Sequence, residues 1–227
     1  MRETSISLRA GSRPSRLALV QTTDALRRIR EALGGDMRFE TLPIASLGDE
    51  DRSTDLRESP PDFFTRELDE ALLRDDVDLV VHSAKDLPAA LPEGISSFVL
   101  PWREDPRDVL VLPAGRRVED LPSNPVAGVS SQRRAAYCAR RFPGATLKGV
   151  RGNVEERVAQ LDAGNYDVLV LAAAGLIRLG LAERISAWIP LEELRPPPGQ
   201  GRLAVAYRTA DERLARIAER LGRIGAD

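Results

Sequence analysis

Short apolar runs rich in Val, Ile and Leu alternate along the chain with amphipathic stretches, the pattern of an α/β protein whose strands are largely buried. Residues 5–8 read as a strand. Residues 15–33 read as a helix with Leu19, Leu26, Ile29 and Leu33 near one face and Gly34-Gly35 ending it. A strand over 37–44 leads into residues 48–62, GDEDRSTDLRESPPD, a polar stretch without periodicity that reads as a lid or a disordered loop. A helix over 63–74 follows, then a buried strand over 78–82 that runs straight into SAKDLP. Lys85 and Asp86 therefore sit just past the C-terminal end of a strand, the edge at which open α/β sheets bind ligands.

Further strands are predicted over 97–100, 109–112, 126–129, 146–150, 168–171 and 203–207, with helices between them and a last helix over 211–224. Asn153 and Glu156 have the spacing of a capping box. Two segments rich in Pro, Gly and charge, 101–108 and 195–202, look like connections. Two crossings imply a discontinuous first lobe of residues 1–100 and 201–227, a second lobe of residues 101–200, and a cleft over which they hinge.

An apolar share of 42% is enough for a folded core. The 33 basic and 35 acidic residues nearly cancel, so no global field argues for nucleic acid or an anionic membrane, and any anion site must be local. One cysteine, Cys138, allows no internal disulfide and no Cys/His cluster for zinc; no metal site is expected, and a reducing cytoplasm fits. The N-terminal residues lack a secretory apolar run, and no later segment approaches membrane-spanning length. His82, alone of its kind at the end of an apolar strand, reads as a packed, hydrogen-bonded core residue.

The local anion site is sought between residues 130 and 157, where Arg133, Arg134, Arg140, Arg141, Lys148, Arg151 and Arg157 face only Glu155 and Glu156. Ser130 and Ser131 precede a helix, so free backbone N–H groups would lie beside Arg133 and Arg134, as a carboxylate or phosphate requires. GVRGN at 149–153 repeats that arrangement, with Gly152 allowing a close backbone approach beside Arg151. Arg140 and Arg141, in mid-helix near Pro143, read as solvated. In the first lobe Arg13 and Ser15 follow the first strand. Asp86 has two readings: a carboxylate that stabilises a developing positive charge, or one half of a Lys85/Asp86 ion pair in a turn.

Taken in order, LRAGSRPSRLALVQ at 8–21, FFTRELDEALL at 63–73, DLVVHSAKDLP at 78–88, REDPRDVLV, GVSSQRRAAY, the long run from LKGVRGNVEERV to AAAGLIRLGL, and PPPGQGRLAVAYR make the chain resemble the hydroxymethylbilane synthase (porphobilinogen deaminase) family from end to end. The resemblance implies a fold like the type II periplasmic binding proteins: two hinged α/β lobes, mixed sheets with helices on both faces, and a ligand cleft. It implies that Asp86 is the main catalytic group, helping porphobilinogen lose ammonia and stabilising the resulting cation. It further implies that Lys85, Arg13, Ser15, Ser131, Arg133, Arg134, Arg151 and Arg157 bind acetate and propionate carboxylates, joined by Ser130 and Gly152 from the local reading, and that Gln200 lies in the hinge.

Three departures qualify the resemblance. The family's third domain, with the cysteine that holds a dipyrromethane cofactor, is expected to be absent, and Cys138 reads as a small packed residue. ESPPD at 58–62 stands where the family has a Gly- and Lys-rich lid, and Val129 and Gln132 flank the paired serines. The expectation is a cytoplasmic enzyme condensing a polycarboxylate pyrrole into hydroxymethylbilane or a shorter oligomer, with no covalently bound cofactor and an oligopyrrole held by salt bridges alone. The other class of reading is a non-catalytic carrier of an anionic pyrrole. Neither nucleic acid nor membrane is expected as partner; a downstream tetrapyrrole enzyme, or a separate chain supplying the third domain, is.

Overall fold

The computed structural model describes residues 6–34, 36–51, 54–60 and 62–224; Ser5 and Gly35, named above at element ends, lie outside them. In chain order the elements are β1 (Ile6–Ser12), α1 (Arg16–Leu33), β2 (Met37–Pro43), α2 (Leu47–Glu50), α3 (Arg66–Leu73), β3 (Leu79–Ser83), β4 (Ile95–Arg103), β5 (Asp108–Val111), β6 (Val126–Val129), α4 (Gln132–Arg141), β7 (Thr146–Gly149), α5 (Val154–Asp162), β8 (Val168–Ala172), α6 (Ala173–Arg178), β9 (Ala187–Trp188), β10 (Arg202–Arg208) and α7 (Glu212–Ile224). The described residues divide into two compact units, one drawn from Met1–Glu50, Pro61–Glu104 and Arg202–Asp227, the other from Asp51–Pro60 and Asp105–Gly201. Residues 51–60 thus cluster with the second unit, whereas the sequence pattern had kept them in the first.

The first unit holds a five-stranded sheet in the order β2-β1-β3-β10-β4. Its β1 runs parallel to β2 and β3, and β10 is antiparallel to both β3 and β4. The helix α1 packs a stripe of Thr22, Ala25, Leu26, Ile29 and Leu33 into a core with Leu8, Ala10, Leu79, Val81 and Val205; Leu19, expected on that stripe, is only half-buried. On the other face α3 brings Leu68, Ala71 and Leu72 against Val80, Ile95 and Ala206. The small residues Ala204 and Ala206 of β10 pair with His82 and Val80, leaving room for a helix to approach.

The second unit repeats the plan with strand order β7-β6-β8-β5-β9: β6 is parallel to β7 and β8, and β5 is antiparallel to β8 and β9. Leu110, Ala127, Val129, Val168 and Val170 face α4 through Ala135 and Cys138, while Val109, Val111, Leu169 and Leu171 face α5 and α6. Alternation of buried side chains along each strand puts one apolar set under each helical layer.

Four predicted segments differ from the structure. The strand expected over 5–8 runs on to Ser12, paired with β2 along its length. The helix expected over 63–74 begins at Arg66, because Phe63 and Phe64 form a turn whose rings meet edge to face at 5.2 Å and whose Phe63 carbonyl accepts from Gly48 N at 2.9 Å. The polar stretch 48–62 is not structureless among the described residues: it opens in α2, and Asp49 Oδ2 accepts from both the backbone and the hydroxyl of Ser46. The strand expected over 97–100 runs on to Arg103, since β10 pairs with it as far as Arg202.

Candidate active site

In the first unit β1 and β3 end side by side, and the turns after them carry the predicted residues. Ser15 caps α1, its hydroxyl accepting from Ala18 N at 3.3 Å. Arg13 donates from Nε to both Asp49 oxygens at 3.1 and 3.0 Å and lies over the Phe64 ring at 4.3 Å, so its guanidinium is held by α2 and the aromatic turn. The Arg13 guanidinium and the Ser46 hydroxyl hold the Asp49 carboxyl below its usual range against the opposing effect of burial.

After β3 the chain turns through one 3-10 turn, Ala84–Asp86, that carries Lys85 and Asp86. Among the described residues Asp86 has no hydrogen-bond or ion-pair partner, and it is half-buried. The alternative reading, a Lys85/Asp86 ion pair, is therefore not what the structure contains. Beside it, Gln21 Nε2 fixes Ser83 Oγ at 3.0 Å. His82 is buried with Nε2 unpartnered, a correction to the hydrogen-bonded core histidine expected from sequence. Burial, reinforced by the Arg13 charge, pulls its pKa down to about 4, so the ring is neutral near pH 7.

In the second unit the turns after β6 and β7 bring the other predicted residues together. Ser131 caps α4, accepting from Arg134 N at 3.3 Å. Ser130 Oγ accepts from Arg134 Nη1 and from Arg157 Nη1, each at 3.2 Å, while Arg157 Nε reaches Gly152 O at 2.8 Å. Gly152 takes φ +96°, and a side chain there would collide with Glu156, whose carboxylate closes the capping box with Asn153. Arg151 donates through Nη2 to the carbonyl of Asp51, so the acidic segment 51–60 reaches this turn. Arg140 and Arg141 are exposed at the end of α4.

The arginine pair holds a residue that sequence reasoning missed. Asp108, at the start of β5, is fully buried; its Oδ1 accepts from Arg134 Nε at 3.2 Å and Nη2 at 2.7 Å, and its Oδ2 lies 2.6 Å from Arg133 Nη2. Gln200 Nε2 donates to Pro106 O at 2.6 Å and approaches Asp108 Oδ1 at 3.3 Å. Despite burial, the two guanidiniums keep the Asp108 carboxyl below its ordinary value. Arg133 and Arg134, predicted as ligand groups, are thus also internal partners. The only sequence signal for this was an acid directly ahead of an all-apolar strand.

Two similar α/β units, each with its helix-starting turns at the ends of parallel strands, define the class: a two-lobed fold of the type II periplasmic-binding-protein kind. The fold is shared with the effector-binding domain of BenM, solved with its effector benzoate, at a TM-score of 0.55 and 14% identity over 99% of this chain and 94% of that one. The family is fixed by sequence: residues 8–216 fit the family described as porphobilinogen deaminase, dipyromethane cofactor binding domain. Porphobilinogen deaminase of Phenylobacterium zucineum (strain HLK1) is 42% identical over 216 residues, covering 91% of this chain and 68% of that protein. The same enzyme of Thermus thermophilus is 43% identical over 202 residues, covering 89% of this chain and 65% of the other. The chain belongs to the porphobilinogen deaminase family, pyrrole-condensing transferases of tetrapyrrole biosynthesis, and spans about two thirds of the length of these relatives.

The family uses a dipyrromethane cofactor. Its carboxylates suit the guanidinium and hydroxyl groups around Ser130, but a thioether anchor does not suit Cys138, the one cysteine in the sequence. That residue is fully buried on α4, and burial pushes its thiol up to about 11. No helix among the described residues is long and apolar enough to cross a membrane.

Proposed function

We propose that the chain deaminates porphobilinogen and joins pyrroles head to tail, with Asp86 as the catalytic carboxylate. The observation that carries this reading is the freedom of Asp86. Asp49, Asp78 and Asp108 are each tied to arginines, whereas Asp86 stands beyond the end of a buried strand with no hydrogen-bond or ion-pair partner among the described residues. As pyrrole loses ammonia, positive charge develops on the ring and its methylene carbon; a carboxylate beside it stabilises that charge and can then accept the ring proton after the next pyrrole adds. Substrate acetate and propionate groups are bound by Arg133, Arg151, Arg157 and the Ser130 and Ser131 hydroxyls, with Arg13, Ser15 and Lys85 completing the set and Arg134, Gly152 and Gln200 shaping it.

When bound, a dipyrromethane supplies the acceptor pyrrole on which the product chain grows. Within these residues it is held by its carboxylates and not by a covalent bond, and the product is hydroxymethylbilane or a shorter oligomer. The compartment we assign is the cytoplasm; a downstream tetrapyrrole enzyme, or a separate chain carrying a cofactor cysteine, is the partner class this scheme admits.

Incubation of the protein with porphobilinogen, followed by ammonia assay, tests the reading. Asp86→Asn is expected to lower release by about 10²-fold or more while leaving thermal unfolding unchanged. Saturable binding of porphobilinogen without ammonia release from the unmutated protein assigns it instead to the carriers. Intact-protein mass spectrometry is expected to give the polypeptide mass alone; an added dipyrrole mass lost in Cys138→Ser would contradict non-covalent retention.

A further inference from the structure

Asp108, Arg134, Ser130 and Arg157 form one chain of contacts. Serine has one donor and two acceptor lone pairs. At Ser130 both lone pairs face guanidinium donors, Arg134 Nη1 and Arg157 Nη1, each 3.2 Å away. The hydroxyl hydrogen is left to point elsewhere, polarised by two cations, at the head of α4. A hydroxyl in that state can donate but has no capacity left to accept, so it discriminates in favour of an anionic acceptor over any ligand group that itself donates.

What holds Arg134 in this pose is Asp108. Its buried carboxylate takes the Nε and Nη2 donors side by side, which fixes the plane of the guanidinium and directs Nη1 at Ser130. Gln200 steadies the same Oδ1, and Arg133 lies against Oδ2. Asp108 is fully buried and has no surface to offer a ligand; its influence passes through Arg134.

We propose that Asp108 is a positioning residue whose hold on Arg134 makes the Ser130 hydroxyl an obligate donor to a ligand carboxylate. The proposal rests on the pyrrole-carboxylate reading above and adds to it the device by which the second unit selects carboxylates.

A thermodynamic cycle on Asp108→Asn, Ser130→Ala and the double variant tests it, with calorimetric binding of porphobilinogen and of propane-1,2,3-tricarboxylate as a simple carboxylate probe. Each single change is expected to weaken both ligands about tenfold, and the double variant also about tenfold instead of a hundredfold, because the two act on one donor. In turnover the loss is expected in KM with kcat preserved, the signature of a binding group and not of a general loss of structure. Should Asp108→Asn fail to fold, Arg134→Lys takes its place: an ammonium keeps the charge but cannot bridge Asp108 and Ser130 at once, so the same non-additivity with Ser130→Ala is expected. Additive losses, or a tricarboxylate that the unmutated protein does not bind, overturn the proposal. Absence of ammonia release with the cycle intact overturns only the catalytic reading.

Discussion

Just past the end of β3 a half-buried aspartate stands without a hydrogen-bond or ion-pair partner among the described residues; at the start of β5 a fully buried aspartate stands between two arginines. The two carboxylates occupy similar positions in sequence, each beside an apolar strand, yet they are suited to opposite tasks. Asp108 is desolvated, and only its guanidinium neighbours make its charge tolerable. Its charge is spent on holding them. Asp86 keeps some solvent and has no ion-pair partner among the described residues, the condition the proposed role in stabilising a transient positive charge requires. A third aspartate, Asp78, shows the first arrangement serving stability alone: it accepts from the backbone and guanidinium of Arg9 and from Arg213, tying β1 to the start of α7, and its carboxyl is drawn down to about 2.

The sharpest way to break this contrast is to remove each charge and watch the fold. Asp108→Ala leaves Arg134 buried without its counter-charge, and such a loss typically costs about 3–5 kcal/mol. Urea unfolding is expected to show that large shift in midpoint. Asp86→Ala is expected to leave the midpoint in place and to remove ammonia release, an effect of about 10²-fold or more on rate. Equal destabilisation by both changes would mean that Asp86 is also structural.

Much of this architecture is legible in the chain. Strand cores were visible as Val- and Leu-rich runs, and the turns after 79–83, 126–129 and 146–149 because charged or polar residues, AKD, SSQRR and VRGN, follow each run at once. The Asn153–Glu156 capping box was legible from spacing alone. What sequence did not reveal depends on contacts between distant residues. Asp108 lies in REDPRDVLV, which reads as a charged connector, and only Arg134, 26 positions away, makes it a buried hub. Arg13 reads as a ligand arginine, and nothing local announces that Asp49, 36 positions on, is also its partner. The start of α3 was misplaced because Phe63 and Phe64 continue the helix pattern but pack on each other and on Gly48. Apolar periodicity reports local faces; it carries no record of which charges will meet.

A finer version of the same contrast lies within the first unit, where two buried titratable groups have no ion-pair partner among the described residues. Asp69 on α3 is 3% exposed, and burial, opposed by the Thr65 hydroxyl and aided by repulsion from Asp62, raises its pKa to about 6. His82 on β3 is lowered to about 4. Their effects on stability have opposite signs. The native state binds the Asp69 proton more tightly than the unfolded chain does, so stability falls as pH rises from about 4 to about 6. The unfolded chain binds the His82 proton more tightly than the native state does, so stability falls as pH drops from about 6.5 towards about 4. Across the shared window the two slopes oppose each other, each on the order of 2 kcal/mol. Removing one group is therefore expected to expose the other. Calorimetry of His82→Gln is expected to show unfolding temperature rising on acidification from pH 6 to 4.5, whereas Asp69→Asn is expected to show it falling more steeply than in the unmutated protein and to be the more stable protein at pH 7. If neither variant changes the pH slope, both groups reach water more freely than their burial implies, and the two sites are no different in kind from an exposed carboxylate and imidazole.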